Sequence, residues 1–204
     1  MNALIVVDLQ NDFMPGGPLG VAGATHIIDT VNALMPHFEL VVATQDWHPS
    51  HHGSFAVNHP NKKPGDVIKL HGLDQILWPT HCVQNTKGAA FVDRLHTNMF
   101  NHIVQKGTDP TVDSYSGFFD NGHKNRTNLD QIMRDDHIQT VYICGVATDY
   151  CVRFTAMDAI TCGFGVKLIA DACRGVDLEE GDVDTALDDM CAAGVILTNS
   201  TQIC

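Results

Sequence analysis

Ala3-Leu4-Ile5-Val6-Val7, closed by Asp8, is the stretch that decides the fold class. Five consecutive apolar, mostly β-branched residues with no alternation describe a strand covered on both faces. Strands of that kind belong to parallel sheets with helices packed above and below. Working outward, comparable runs stand at 40–44, 102–105, 140–144, 166–169 and 195–197. Between them lie stretches with helical character at 24–34, 127–134, 148–161 and 181–193; in the first, Ile27, Ile28, Val31 and Leu34 recur at the helical period. Alternating strands and helices predict an α/β protein built on a parallel sheet. The span 46–100 is rich in His, Pro, Asn and Gly and has little periodicity, which reads as an irregular functional segment rather than a linker. No repeat or low-complexity tract interrupts the chain, so a single domain over 1–204 is expected.

Composition narrows the function classes. Of 204 residues, 44% are hydrophobic and 18% charged, values of a folded globular chain and not of a disordered one. A net charge of −12 argues against nucleic acid or an anionic membrane as partner, since both require a basic face. No apolar run approaches the roughly 18 residues of a membrane span, and the first residues lack the basic and long apolar regions of a secretory leader. The seven cysteines are odd in number and form no C-x-x-C pair, which points to a reducing, cytoplasmic setting. The acids at 177–184 and Asp188-Asp189 read as a solvated helix face, favourable near a helix start.

Several strands end in, or open into, polar residues: Asp8 after the first, Asp46-Trp47-His48 after the second, Lys106 after the third, and Thr148-Asp149-Tyr150-Cys151 beyond 140–144. In open parallel sheets ligands bind outside the carboxyl ends of the strands, where the strand order reverses. Asp8, Lys106 and Cys151 meeting on that edge would supply a base, a cation and a nucleophile; emergence into water would also place polar residues there. Thr148 and Asp149 are good N-cap residues, so Cys151 is expected in a first helical turn, where unpaired N–H groups favour a thiolate and can hold an oxyanion. Asp8 would take the thiol proton, and Lys106 would keep Asp8 charged.

Asp46 and His48 lie two apart on an extended chain and so converge on one side. His81 could complete a facial set of one carboxylate and two imidazoles, suited to zinc, iron or manganese. With 12 histidines in the chain, His51, His52, His59 and His71 compete as ligands.

These residues sit in motifs that resemble the nicotinamidase group of the isochorismatase-like cysteine hydrolases. The matching pieces are Val7-Asp8-Leu9-Gln10-Asn11-Asp12-Phe13, Thr44-Gln45-Asp46-Trp47-His48-Pro49, Leu77-Trp78-Pro79-Thr80-His81-Cys82-Val83, Gln105-Lys106-Gly107, Ser114-Tyr115-Ser116-Gly117-Phe118 and Gly145-Val146-Ala147-Thr148-Asp149-Tyr150-Cys151-Val152. The resemblance implies a three-layer α/β/α fold with a six-stranded parallel sheet. It implies hydrolysis of nicotinamide to nicotinate and ammonia in NAD salvage. The family's triad falls on Asp8, Lys106 and Cys151, its oxyanion donors on the Ala147 and Cys151 N–H groups, and a cis peptide on Val146–Ala147. The metal ligands fall on Asp46, His48 and His81, with one divalent transition metal, zinc first, expected; His52 matches a stretch where some relatives carry a fourth ligand. Phe13, Trp78 and Tyr115 match the aromatic residues bordering the pyridine ring. Competing readings are a hydrolase of another small amide such as pyrazinamide, and a non-catalytic metal or thiol sensor. An isochorismatase-type ether hydrolase lacks the cysteine chemistry, so Cys151 argues against it. Homo-oligomers are compatible with every reading.

Overall fold

The computed structural model describes residues 1–204. Its strands are β1 (Asn2–Val7), β2 (Leu40–Asp46), β3 (Val67–Leu70), β4 (Leu73–Ile76), β5 (His102–Lys106), β6 (Thr140–Val146), β7 (Gly165–Arg174) and β8 (Ile196–Thr198). Its α-helices are α1 (Ile28–Leu34), α2 (Leu129–Asp135), α3 (Arg153–Thr161) and α4 (Asp182–Ala192). Six strands form one sheet in the order β5-β2-β1-β6-β7-β8, with every neighbouring pair parallel. From β1 the chain moves outward through β2 to β5, and from β6 it moves the other way to β8. The order therefore reverses between β1 and β6. Right-handed crossovers running in opposite directions put α1 on one face of the sheet and α3 and α4 on the other. Arg134 of α2 donates to the Cys162 carbonyl at the end of α3 and lies over the Phe164 ring, so α2 shares that second face.

The core follows from the apolar runs. Ala3 through Val7 have no exposure at all, and all of β2 is buried. Ile28, Val31 and Leu34 form the buried face of α1. Each such side chain contributes about 1.5–3 kcal/mol on burial. Gly145 sits at φ 120° where β6 passes β1, and a Cβ there would overlap the Val7 carbonyl.

Three expectations need correction. The first helical stretch begins as a 3₁₀ turn, Ala24–Ile27, and becomes α-helical only at Ile28. Strand β7 runs on to Arg174, because pairing with β6 resumes after an irregularity, matching Gly145 to Cys173 and Val146 to Arg174. The span 46–100 is not irregular throughout: β3 and β4 make an antiparallel hairpin turned by His71 and Gly72, both at positive φ, the combination a type I′ hairpin turn requires. As expected, Asp182 and Asp184 stand in the first turn of α4. No helix is long and apolar enough to cross a membrane.

Candidate active site

The carboxyl ends of β1, β2, β5 and β6 bring the predicted polar residues together at the reversal of strand order. Asp46 and Lys106 are register partners at the ends of β2 and β5. Asp8 follows β1 at φ 50°, and this turn directs its carboxylate across the sheet edge. Lys106 Nζ lies 2.9 Å from Asp8 Oδ2, pairs with Asp46 Oδ1, and donates to the Ser114 carbonyl at 3.0 Å. It also lies 3.4 Å from Cys151 Sγ. The Thr44 hydroxyl donates to Asp8 Oδ1 at 2.6 Å. Asp8 Oδ2 is buried against the Lys106 ammonium, and the Asp8 carboxylate also meets the Cys151 thiol. Atoms of Asp8, Asp46 and Cys151 lie within 4.8 Å of one another. The sequence reading gave Lys106 one carboxylate to balance; it faces two.

This sharing sets the protonation pattern. Burial raises the Asp8 pKa, and Asp46 adds to that rise while Lys106 and the Thr44 hydroxyl oppose it. For Asp46 burial also acts upward, but Lys106 and His48 outweigh it and hold the carboxyl well below its ordinary value. Lys106 is driven the other way: burial disfavours its charge, and Asp46, Asp8 and Cys151 more than restore it. Burial pushes the Cys151 thiol well above its ordinary value despite Lys106. Burial of the sulfur thus opposes the thiolate that the helical turn is expected to favour, and it sets the thiol beside a carboxyl whose own pKa is raised.

The turn that carries Cys151 also departs from expectation. Thr148–Val152 is a π-helical turn whose N-cap is Ala147, and no side chain caps it. The Asp149 carboxylate instead accepts from the Val176 and Asp177 N–H groups at 2.9 and 2.8 Å, tying down the loop after β7. The Val146–Ala147 peptide is cis.

Asp46, His48 and His81 form a second buried group, with ligand atoms within 4.8 Å of one another. His48 Nδ1–H donates to the Gly107 carbonyl and His81 Nδ1–H to the Pro79 carbonyl, each at 2.8 Å. Both Nε2 atoms then face Asp46 Oδ2, at 3.4 and 3.7 Å. Imidazoles backed by carbonyls with their second nitrogens converging on one carboxylate match the donor set of a divalent transition metal. Gly107 is at φ 66°, and a Cβ there would run into the His48 ring. His52 lies outside this set: it groups with His48 and Asp113, its Nε2 is buried without a partner, and burial lowers its pKa to about 4.

Above both groups is a narrow cavity lined by Phe13, Leu19, Trp78, Tyr115, Tyr150 and Val176. Ala147, Cys151, Asp46 and His81 line its polar wall together with Asp113. The predicted aromatic residues all face it; Leu19, Asp113, Tyr150 and Val176 are additions. Gln75 is a further residue that sequence reasoning missed. It comes from β4, and its Nε2 donates to Tyr115 Oη at 3.2 Å and Asp113 Oδ2 at 3.1 Å, while Trp78 Nε1 donates to the same phenol at 3.0 Å. The two-residue His71-Gly72 break between the short runs 67–70 and 73–76 was the signal that could have placed the hairpin carrying it. A wider groove outside, lined by Asp74, Arg153 and Asp189, shares Tyr115 and Tyr150 as a wall but contains no nucleophile.

The isochorismatase domain family matches residues 2–202 of this chain. The chain belongs to that family. It is 46% identical over 199 residues to a nicotinamidase of Escherichia coli, covering 96% of this chain and 93% of that protein. Among solved structures, an Acinetobacter nicotinamidase/pyrazinamidase superposes with a TM-score of 0.96 at 46% identity, covering 100% and 98% of the two chains. A Pyrococcus horikoshii pyrazinamidase in complex with zinc superposes with a TM-score of 0.78 at 42% identity, covering 97% and 98%.

Proposed function

We propose that this chain hydrolyses nicotinamide to nicotinate and ammonia, a step of NAD salvage, through a thioester on Cys151. The observation that carries the reading is the contact of Cys151 Sγ, Lys106 Nζ and the Asp8 carboxylate beneath a cavity with aromatic walls. The names of the similar proteins support the same substrate class.

The aryl ring enters between Phe13, Trp78 and Tyr115, with its carboxamide over Cys151. Asp8 Oδ2 takes the thiol proton as sulfur attacks the carbonyl carbon, and Lys106 balances the charge on sulfur. The Ala147 and Cys151 N–H groups receive the oxyanion, worth about 3 kcal/mol for each well-placed donor. The tetrahedral species collapses, the C–N bond breaks, and ammonia leaves with the proton held by Asp8. Asp8 then takes a proton from the incoming water, which cleaves the thioester to nicotinate and restores the thiol. Asp46, His48 and His81 would hold a divalent metal, proposed to be zinc over iron or manganese, which when bound supplies a Lewis-acid point for the pyridine nitrogen. We further propose one functional domain over 1–204 acting in the cytoplasm, with a small molecule and no nucleic acid or membrane as its partner.

The test is ammonia release from nicotinamide by the purified chain and by Cys151→Ala. Release by the wild type alone supports the reading. Equal release by both, or none by a zinc-loaded wild type, overturns it.

A further inference from the structure

We infer that Asp12 is a positioning residue for the metal-binding end of the site, acting through the backbone of Cys82. The inference rests on the metal-binding reading above and is independent of nicotinamide as substrate. Asp46 closes a strand of the central sheet and His48 follows two residues later, but His81 comes from the long segment outside that sheet. Something else must fix its backbone. The 3₁₀ turn Asn11–Phe13 lies across that segment: the Asn11 side-chain amide donates to the Lys87 and Ala90 carbonyls, and the Asp12 N–H to the Gly88 carbonyl. From this platform Asp12 Oδ2 accepts the Cys82 N–H at 2.7 Å, while the next residue, Phe13, places its ring 5.6 Å from that of His81.

Cys82 is at φ 45°, a left-handed conformation uncommon for a residue with a Cβ. Its carbonyl accepts the His48 N–H at 3.0 Å. A single residue, Cys82, pinned by Asp12 through its N–H and bonded to His48 through its carbonyl, thus sets the backbone beside both imidazoles. The carbonyl behind His81 Nδ1 fixes ring rotation only; the Asp12 contact fixes where the ring is carried. Gly88 gives an independent handle, because a Cβ there would overlap the Asp12 carboxylate.

The experiment measures zinc transfer from the zinc-loaded full-length protein to a chromophoric chelator. Loss of a group that orients a metal ligand typically costs about ten- to a hundredfold in metal affinity. Asp12→Ala is expected to release zinc faster by that factor, and Gly88→Ala to do the same by displacing the carboxylate. Combining the two should add little, since both remove one contact. Asp12→Asn keeps an acceptor oxygen and should stay within a fewfold of wild type. Wild-type release rates in both Asp12→Ala and Gly88→Ala would overturn the inference. So would Asp12→Asn releasing as fast as Gly88→Ala, a comparison that serves even if Asp12→Ala does not fold. A wild-type chain that retains no zinc would instead overturn the metal-binding reading.

Discussion

Replacing Asp8 by Asn should remove most of the activity without destabilising the protein, and the reason is the charge count around Lys106. One buried ammonium faces two buried carboxylates, Asp8 and Asp46. Burial raises the Asp8 pKa in the folded state above its ordinary value. For a carboxyl raised in this way, the stabilising contribution is present at acid pH and is lost as pH rises through the raised folded value. Near neutrality, where the base must be ionised, Asp8 therefore works against folding. Asn keeps the oxygen that accepts the Thr44 hydroxyl and leaves a one-to-one pair of Lys106 with Asp46. We expect Asp8→Asn to lie between neutral and about 2 kcal/mol more stable. That corresponds to a Tm rise of up to roughly 4–8 °C for a chain of this length. The same variant should lose about 10²–10⁴ in kcat with its general base removed. Lys106→Met is the opposite case: it strands both carboxylates and should cost about 3–5 kcal/mol, a fall of roughly 6–20 °C. Calorimetry near neutral pH at matched metal content, run beside an ammonia-coupled assay, reads both quantities. If Asp8→Asn lost as much stability as Lys106→Met, Asp8 would be a structural ion-pair partner and the argument would fail.

Chelation of the metal should raise KM for nicotinamide far more than it lowers kcat, with recovery on adding zinc; an unchanged KM in metal-free protein would remove the orienting role. In a pH series, kcat/KM should fall as pH drops through the raised pKa of Asp8, so the acid limb is expected above the ordinary carboxylate range, and a limb at the ordinary value would contradict the buried-base assignment. Gln75→Leu deletes the donor shared by Tyr115 and Asp113; at about 1–1.5 kcal/mol for that loss, KM should rise roughly five- to thirteenfold. Steady-state kinetics would show otherwise if the hairpin had no part in shaping the cavity.

Much of the molecule was legible because single residues carried the signal. Ala3 to Val7 read as a strand covered on both faces, and the polar residues at the strand ends then fell on one edge. What stayed hidden depended on distances between strands or on backbone contacts. That Asp46 shares Lys106 with Asp8 follows from the register of β2 against β5, which no local pattern encodes. Gln10 gives no sign in sequence of its task, yet its side-chain amide brackets the Asp46 backbone, donating to its carbonyl and accepting its N–H, each at 2.8 Å. Thr148 and Asp149 look like helix caps, and the local rule fails there because Asp149 is committed to the loop at Val176 and Asp177. The β3–β4 hairpin was missed for a simpler reason: four-residue strands with half-polar faces stand out weakly in a segment crowded with turn residues.

The most direct test of the account is to look for the covalent intermediate. Zinc-loaded wild-type protein mixed with excess nicotinamide would be quenched in acid during turnover, digested and mapped by mass spectrometry. A nicotinoyl group on the peptide containing Cys151, absent when substrate is omitted, is the predicted result. Turnover with no acylated cysteine at any quench time, or acylation of Cys82 in place of Cys151, would contradict it.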